Sequence, residues 1–176
     1  NADVRSGFKY PKKDLEQNVI CTFNLLEAMR HNSVKKIVFT STAPIYGDVN
    51  LFPTPENSPL SNQTSLYGAS KLYCEGLIQS YCEGYNLQSW IFRFVSILGP
   101  RYTHGHVFDF YKQLNVNKKN KLKILGNGLQ KKSYLNVKDC VSAILIASKK
   151  ANKKINIFNL GCDEFINVNK SAKIIC

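Results

Sequence analysis

Tyr67 and Lys71 stand four residues apart in the run Tyr67-Gly68-Ala69-Ser70-Lys71. On a helix that spacing puts both side chains on one face, with Cβ atoms about 5–6 Å apart. A free phenol has a pKa near ~10 and is a poor base at neutral pH. A neighbouring ammonium stabilises the phenolate and draws that pKa towards the working range. Upstream of this pair, the hydroxyl run Thr40-Ser41-Thr42 closes the apolar segment Ile37-Val38-Phe39. If that segment is a parallel strand, its carboxyl end is where ligands bind in α/β sheets. A hydroxyl there can bond a substrate oxygen beside the tyrosine. Alone, Tyr-x-x-x-Lys also describes an ordinary helix with an exposed Tyr and Lys, and Ser41-Thr42 a turn or helix cap. Jointly, the two segments point to a site that moves a proton at an alcohol.

Helical and strand-like segments alternate around these residues, which predicts an α/β fold with a mostly parallel sheet. Leu15, Val19, Phe23, Leu26 and Met29 recur at helical spacing, so Pro11 to His31 is expected to be a helix. Ile37-Val38-Phe39 reads as a fully buried parallel strand. Pro53 to Ser65, rich in Pro, Asn and Ser, reads as a loop. The catalytic pair falls on a predicted helix from Leu66 to Tyr85, with Leu66, Ala69, Tyr73, Leu77 and Tyr81 on its buried face. Trp90 to Val95 is the next strand, and Gly99-Pro100 breaks the chain. Further on, the pattern predicts a helix at Val107–Leu114, a strand at Lys123–Leu125 before the turn Gly126-Asn127-Gly128, and a strand at Ser133–Val137. A helix at Val137–Lys150 with Val141, Ile144 and Leu145 inward, a strand at Ile155–Leu160 and a final helix ending at Cys176 complete the order.

The 176 residues are 44% apolar and 20% charged, ordinary for a soluble globular protein. The longest apolar runs are far short of the ~20 residues that span a bilayer, so no membrane association is expected. A net charge of +12 invites a polynucleotide reading. The lysines are mostly scattered pairs, however, and only Lys118-Lys119-Asn120-Lys121-Leu122-Lys123 forms a cluster. A nucleic-acid binder concentrates its basic residues on one element, so no nucleic-acid partner is expected. Six cysteines without a Cys-x-x-Cys, and without histidines at zinc spacing, argue against a metal site or a disulfide framework. They fit small apolar residues of a reducing cytoplasm.

Several runs together are recognisable. Asn18-Val19-Ile20-Cys21-Thr22-Phe23-Asn24-Leu25-Leu26-Glu27-Ala28 resembles the Asn-x-x-Gly-Thr-x-Asn-Leu-Leu-Glu-Ala helix of the extended short-chain dehydrogenase/reductase family. Ser41 to Gly47, Tyr67–Lys71, Arg93 to Arg101 and Gly126 to Tyr134 follow in that family's order and spacing. The resemblance covers nearly the whole chain and is strongest to the NAD-dependent epimerases and dehydratases of sugar nucleotides, in particular the UDP-glucose (galactose) 4-epimerase branch.

The resemblance implies a Rossmann-like doubly wound sheet with NAD as cofactor, and a smaller substrate-binding region. Residues 1–95 would be the later part of the cofactor domain. Residues 96–176 would be mainly the substrate region, with elements at about 133–160 returning to the first. Tyr67 would be the catalytic base, Lys71 its partner and a contact to the cofactor ribose, and Thr42 the hydroxyl that bonds the reacting sugar oxygen. Asn18, Ser41 and Val95 match cofactor-contacting positions. Ser96 and Lys132 match positions near the sugar nucleotide and its diphosphate, where Lys132 keeps the charge of the family's Arg without its bidentate fork. Relatives that dehydrate their sugar follow the catalytic Thr with Asp-Glu, where this chain has Ala43-Pro44. The implied reaction is therefore 4-epimerisation through a transient 4-keto sugar. The alternatives are dehydration, decarboxylation or reduction on the same scaffold, or an inactive fragment. No Gly-x-x-Gly-x-x-Gly phosphate loop occurs among the ten glycines. Asn1 to Ser6 resembles the segment after the family's fourth strand, so the first strands and the phosphate loop are expected upstream of Asn1. The helices around Phe23 and Tyr73 resemble those that pair in family dimers, which implies a homodimer.

Overall fold

The structure is a computed structural model that describes residues 1–116 and 121–176, Val116 by its backbone alone. Lys118, Lys119 and Asn120 of the basic cluster lie outside the described residues. The chain forms two compact units, Asn1–Phe94 with Ser142–Leu160, and Val95–Val141 with Gly161–Cys176.

In the first unit a three-stranded parallel sheet has the order β1 (Lys36–Thr42), β2 (Gln88–Phe94), β6 (Ile155–Leu160). The strands between β2 and β6 in sequence belong to the second unit. Ser89 to Arg93 are buried without a break, as the central strand of a parallel sheet requires. β1 is an edge of this sheet among the described residues, and its burial alternates instead. Val38, expected to be buried, is 46% exposed.

The first helical stretch runs from Pro11 to His31 as expected, but not as one regular helix. It is α-helical over α1 (Pro11–Asp14), widens to a π-helical segment at Leu15–Ile20, and returns to α-helix in α2 (Cys21–His31). Its buried stripe is Asp14, Asn18, Thr22, Leu26 and Met29, while Leu15 and Phe23, read as inward from the sequence, are exposed. Four-residue steps advance about 400° on a regular helix, so such a stripe drifts by about 40° per step. The wider π segment absorbs part of that drift and keeps the polar and apolar halves of the stripe on one face.

α3 (Leu66–Tyr85) has a clear start and stop. The Ser65 hydroxyl accepts from the Gly68 amide at 3.0 Å, and Asn86 closes the helix in the left-handed conformation. Its buried face is Tyr67, Ser70, Cys74, Ile78 and Tyr81, flanked by Glu75 and Cys82, whereas Tyr73 points outward at 56% exposure. The sequence reading placed the face about one residue off because it followed apolar residues alone, and Ser70 and Glu75 share the buried face. Ile78, Tyr81 and Cys82 join Leu26, Met29, Ile37 and Ile91 in the main apolar core.

In the second unit β3 (Ser96–Leu98) pairs in parallel with β5 (Tyr134–Asn136), and β4 (Lys131–Lys132) pairs antiparallel with β7 (Ile166–Asn167). The helix predicted at Val107–Leu114 is found as α4 (His106–Tyr111) continuing into a π-helical turn at Lys112–Val116. The final helix, α6 (Val168–Ile175), is capped by the Asn167 side chain. Lys123–Leu125 is not a strand. Leu122 and Ile124 pack on the small core of Phe110, Val168 and Ala172, so their alternation reflects side-chain anchoring without backbone pairing. In α5 (Val137–Lys150) Cys140 is the buried residue, while Val141 and Leu145, expected inward, are half exposed.

A side-chain tie joins α2 to α3. Arg30 donates to Glu27 at 2.8 and 3.0 Å, and the Tyr81 hydroxyl donates to Glu27 at 2.7 Å. The Arg30 and Tyr81 bonds hold the Glu27 carboxyl at about 2, well below 4.5. A carboxyl with a depressed native pKa adds stability above its unfolded value, and the contribution disappears as pH falls through the native one. Glu27→Gln is therefore expected to cost stability at pH 6 and progressively less between about pH 4.5 and 2. Urea unfolding across that window measures it, and a pH-independent difference would mean that no ion pair is involved.

Candidate active site

The hydroxyl run and the Tyr–Lys pair meet at the carboxyl end of β1. Thr42 and Tyr67 are both buried, with the Thr42 side chain beside the Tyr67 phenol. Burial pushes that phenol above its ordinary value near 10.0, the neighbouring Thr42 side chain opposes the rise, and the Asp14 carboxylate adds to it. Lys71 lies one turn further along α3. Its ammonium donates to the Thr40 carbonyl at 3.0 Å and sits 4.7 Å from the centre of the Phe39 ring. Burial lowers the Lys71 pKa, so it is a weaker proton holder than a surface lysine.

Two features bring Thr42 and Tyr67 together. After β1 the chain makes a short 3-10 turn, Ala43–Tyr46, and Gly47 leaves it at φ 66. A Cβ at Gly47 would lie 2.3 Å from the Asn62 carbonyl oxygen, so only glycine lets the chain double back there. A Cβ at Gly68 would lie 3.0 Å from the Pro44 carbonyl oxygen, so a glycine directly after Tyr67 lets α3 approach this turn closely.

Asn18 sits within the π-helical segment, 4% exposed. Its amide donates to Ser70 Oγ at 2.9 Å and to Asp14 Oδ1 at 3.4 Å, and Ser70 in turn donates to the Tyr67 carbonyl at 2.8 Å. Asp14 Oδ2 is buried without a hydrogen-bond partner among the described residues. Ser41, given a cofactor contact by the sequence reading, turns its side chain away: it is 2% exposed and its hydroxyl donates to Glu75 Oε1.

Glu75 and the network around it escaped the sequence reading. Glu75 accepts Arg93 Nε at 3.1 Å and Nη2 at 2.8 Å, with both side chains buried. Arg93 Nη1 donates to the Tyr46 hydroxyl at 2.6 Å and to the Glu56 carbonyl at 2.8 Å. The Tyr46 hydroxyl donates to Asn159 Oδ1 at 2.7 Å, and the Asn159 backbone N–H donates to Glu56 Oε1 at 2.8 Å. Two signals were available: Glu75 continues the 67–71–75 spacing, and Arg93 is the one charge in the apolar strand Trp90 to Phe94.

Val95, Ser96 and Lys132 belong to the second unit. Ser96 is half-buried on β3 opposite Tyr134, whose hydroxyl lies 2.9 Å from the His106 ring, and Lys132 is exposed on β4 opposite Ile166. A Cβ on Gly161 would meet Val95 Cγ1 at 2.9 Å. In the first unit, an ammonium, a phenol and a hydroxyl converge at the end of a parallel strand. Thr40 uses one of the three Lys71 donors, so this set suits the hydroxyl-rich ribose end of a nicotinamide dinucleotide.

The NAD dependent epimerase/dehydratase family model matches residues 1–161. A dTDP-D-glucose 4,6-dehydratase of Dictyostelium discoideum is 32% identical over 98% of the chain and 42% of its own length. A UDP-glucose 4-epimerase of Corynebacterium glutamicum is 29% identical over 97% of the chain and 56% of its own length. The crystal structure of a UDP-galactose 4-epimerase superposes with a TM-score of 0.89 at 34% identity, covering 99% of this chain and 58% of that one. The chain thus spans about half the length of the curated relatives it matches. The family match over most of the chain and the parallel sheet agree, and the chain belongs to the NAD-dependent epimerase/dehydratase family.

Proposed function

We propose that the full-length protein epimerises a sugar nucleotide at C4, of the UDP-glucose/UDP-galactose type, through a transient 4-keto sugar. The observation that carries this reading is the buried Thr42 beside the buried Tyr67, followed directly by Ala43 and Pro44. Tyr67 takes the proton of the sugar 4-hydroxyl and later returns it. Thr42 bonds the same oxygen and holds it against the phenol. Lys71 and Asn18 hold the cofactor end of the site. NAD, when bound, supplies the oxidation and the re-reduction of the sugar carbon. Elimination of water would need a further acid beside the sugar, and neither Ala43 nor Pro44 carries a proton. This favours epimerisation over the dehydration named for one relative.

In the second unit, Ser96 and Lys132 serve the sugar nucleotide, Lys132 as a point charge for the diphosphate. The six cysteines are free, which fits a reducing cytoplasm, and among the described residues no helix is long and apolar enough to cross a membrane. A homodimer through α2 and α3 belongs to the same reading, supported by Phe23 and Tyr73, 44% and 56% exposed.

Tyr67→Phe in the full-length protein is expected to lower kcat for UDP-glucose/UDP-galactose interconversion by ~10²–10⁴ while bound NAD and the melting temperature hardly change. A variant within about threefold of wild type would remove Tyr67 from the role of base. Thr42→Val should lower kcat more than it raises KM, and Thr42→Ser should keep most activity, as read by steady-state kinetics. Equal, severe losses in both would instead indicate packing damage around β1. Sedimentation equilibrium should give a dimer that Tyr73→Glu dissociates, and a wild-type monomer would end the dimer reading.

A further inference from the structure

The buried ion pair lies beside the Thr42–Tyr67 contact on three sides. Ser41, the residue before Thr42, faces Arg93 across the β1–β2 ladder, and its hydroxyl donates to Glu75. Tyr46, at the end of the turn after Thr42, accepts from Arg93. Glu75 itself lies eight residues along α3 from Tyr67, on the stripe that also carries Lys71. Thr42 is thus held from before and after by one pair of charges, and that pair is anchored in the helix that bears the phenol. The Ser41 and Glu75 side chains are at most 2% exposed, so water does not compete for these bonds.

We propose that Ser41, Glu75 and Arg93 are positioning residues, which fix the backbone around Thr42 so that its hydroxyl meets the Tyr67 phenol. The effect on turnover rests on the epimerase reading above, whereas the effect on the phenol does not. Removing the Ser41 hydroxyl leaves the ion pair in place and frees only the link to β1. A displacement of order 1 Å at a reacting group can cost up to about a hundredfold in rate. Glu75→Gln keeps an acceptor oxygen for Ser41 but takes away the charge that holds Arg93.

The test is a double-mutant cycle in the full-length protein, using Ser41→Ala and Thr42→Val singly and combined. The first readout is steady-state kinetics with UDP-galactose together with the content of bound NAD. The second is the titration of Tyr67 by NMR with tyrosine labelled with carbon-13 at Cζ, its signal assigned by its loss in Tyr67→Phe. Ser41→Ala should lower kcat about ten- to a hundredfold, leave KM and bound NAD nearly unchanged, and move the Tyr67 titration upward as Thr42→Val does. In the Thr42→Val background Ser41→Ala should cost less than about twofold, because both act through one hydroxyl.

Full additivity of the two substitutions would overturn the proposal, as would an unmoved Tyr67 titration. Loss of bound NAD at unchanged kcat would overturn it too, and would return Ser41 to the cofactor. If Ser41→Ala does not unfold cooperatively, Ser41→Cys, which keeps the volume and weakens the donor, carries the same cycle with the same expectations. A wild-type protein inactive on UDP-galactose but showing the coupled Tyr67 titration would sink the epimerase reading and leave the positioning role standing.

Discussion

A carboxylate and a guanidinium buried together, Glu75 and Arg93, are the constraint around which the first unit is organised. Burying either charge alone would be prohibitive, and removing one partner of such a pair typically costs about 3–5 kcal/mol. Here the leftover donors and acceptors are satisfied as well, by Ser41, Tyr46 and the Glu56 carbonyl. A satisfied pair of this kind adds less to net stability than an apolar replacement would. It does, however, specify one arrangement, because every competing packing of β1, β2 and α3 leaves a charge unpaired.

The same pair explains how an irregular stretch can sit beside a site that needs exact distances. The loop from Gly47 to Ser65 has no regular structure of its own, yet its backbone is held at Thr54 by Asn159, at Glu56 by Arg93 and at Ser61 by the Tyr46 carbonyl, and the Gln63 side chain donates to the Ile45 carbonyl. β2 and β6 each lend one residue to this scheme, and the turn after β1 lends two carbonyls. Strand ends in a parallel sheet carry backbone groups that the ladder no longer uses. In this protein polar side chains from those ends fasten a loop over the sheet.

Much of the architecture was legible in the sequence. The strand–helix alternation placed β1, α3, β2, α5 and β6 within a few residues, because a parallel α/β unit imposes distinct periods and clear caps such as Ser65 and Asn86. The Thr42, Tyr67 and Lys71 grouping was legible too, since it depends on short-range spacing plus one strand end. What stayed hidden was polar burial. Apolar periodicity misplaced the inner faces of the Pro11–His31 stretch and of α3 because Asp14, Asn18, Ser70 and Glu75 occupy them. It also made a strand of Lys123–Leu125, where alternate side chains are anchored without a ladder. Glu75 and Arg93 find each other only through tertiary packing, 18 positions apart, and no local pattern announces which charge a buried arginine will meet.

The π-helical segment at Leu15–Ile20 has a consequence for how this stretch can change over generations. Substitutions there alter one side chain at a time, and the exposed positions Leu15, Glu16 and Gln17 can vary freely. Loss of a single codon is absorbed in a different way. A wide turn holds about one residue more than a regular one, so the segment would tighten to α-helix while its flanks kept nearly the same rotation. Asp14 and Asn18 would then stand three residues apart, still on one face. The extra residue in that turn therefore makes this part of the chain tolerant in length as well as in spelling.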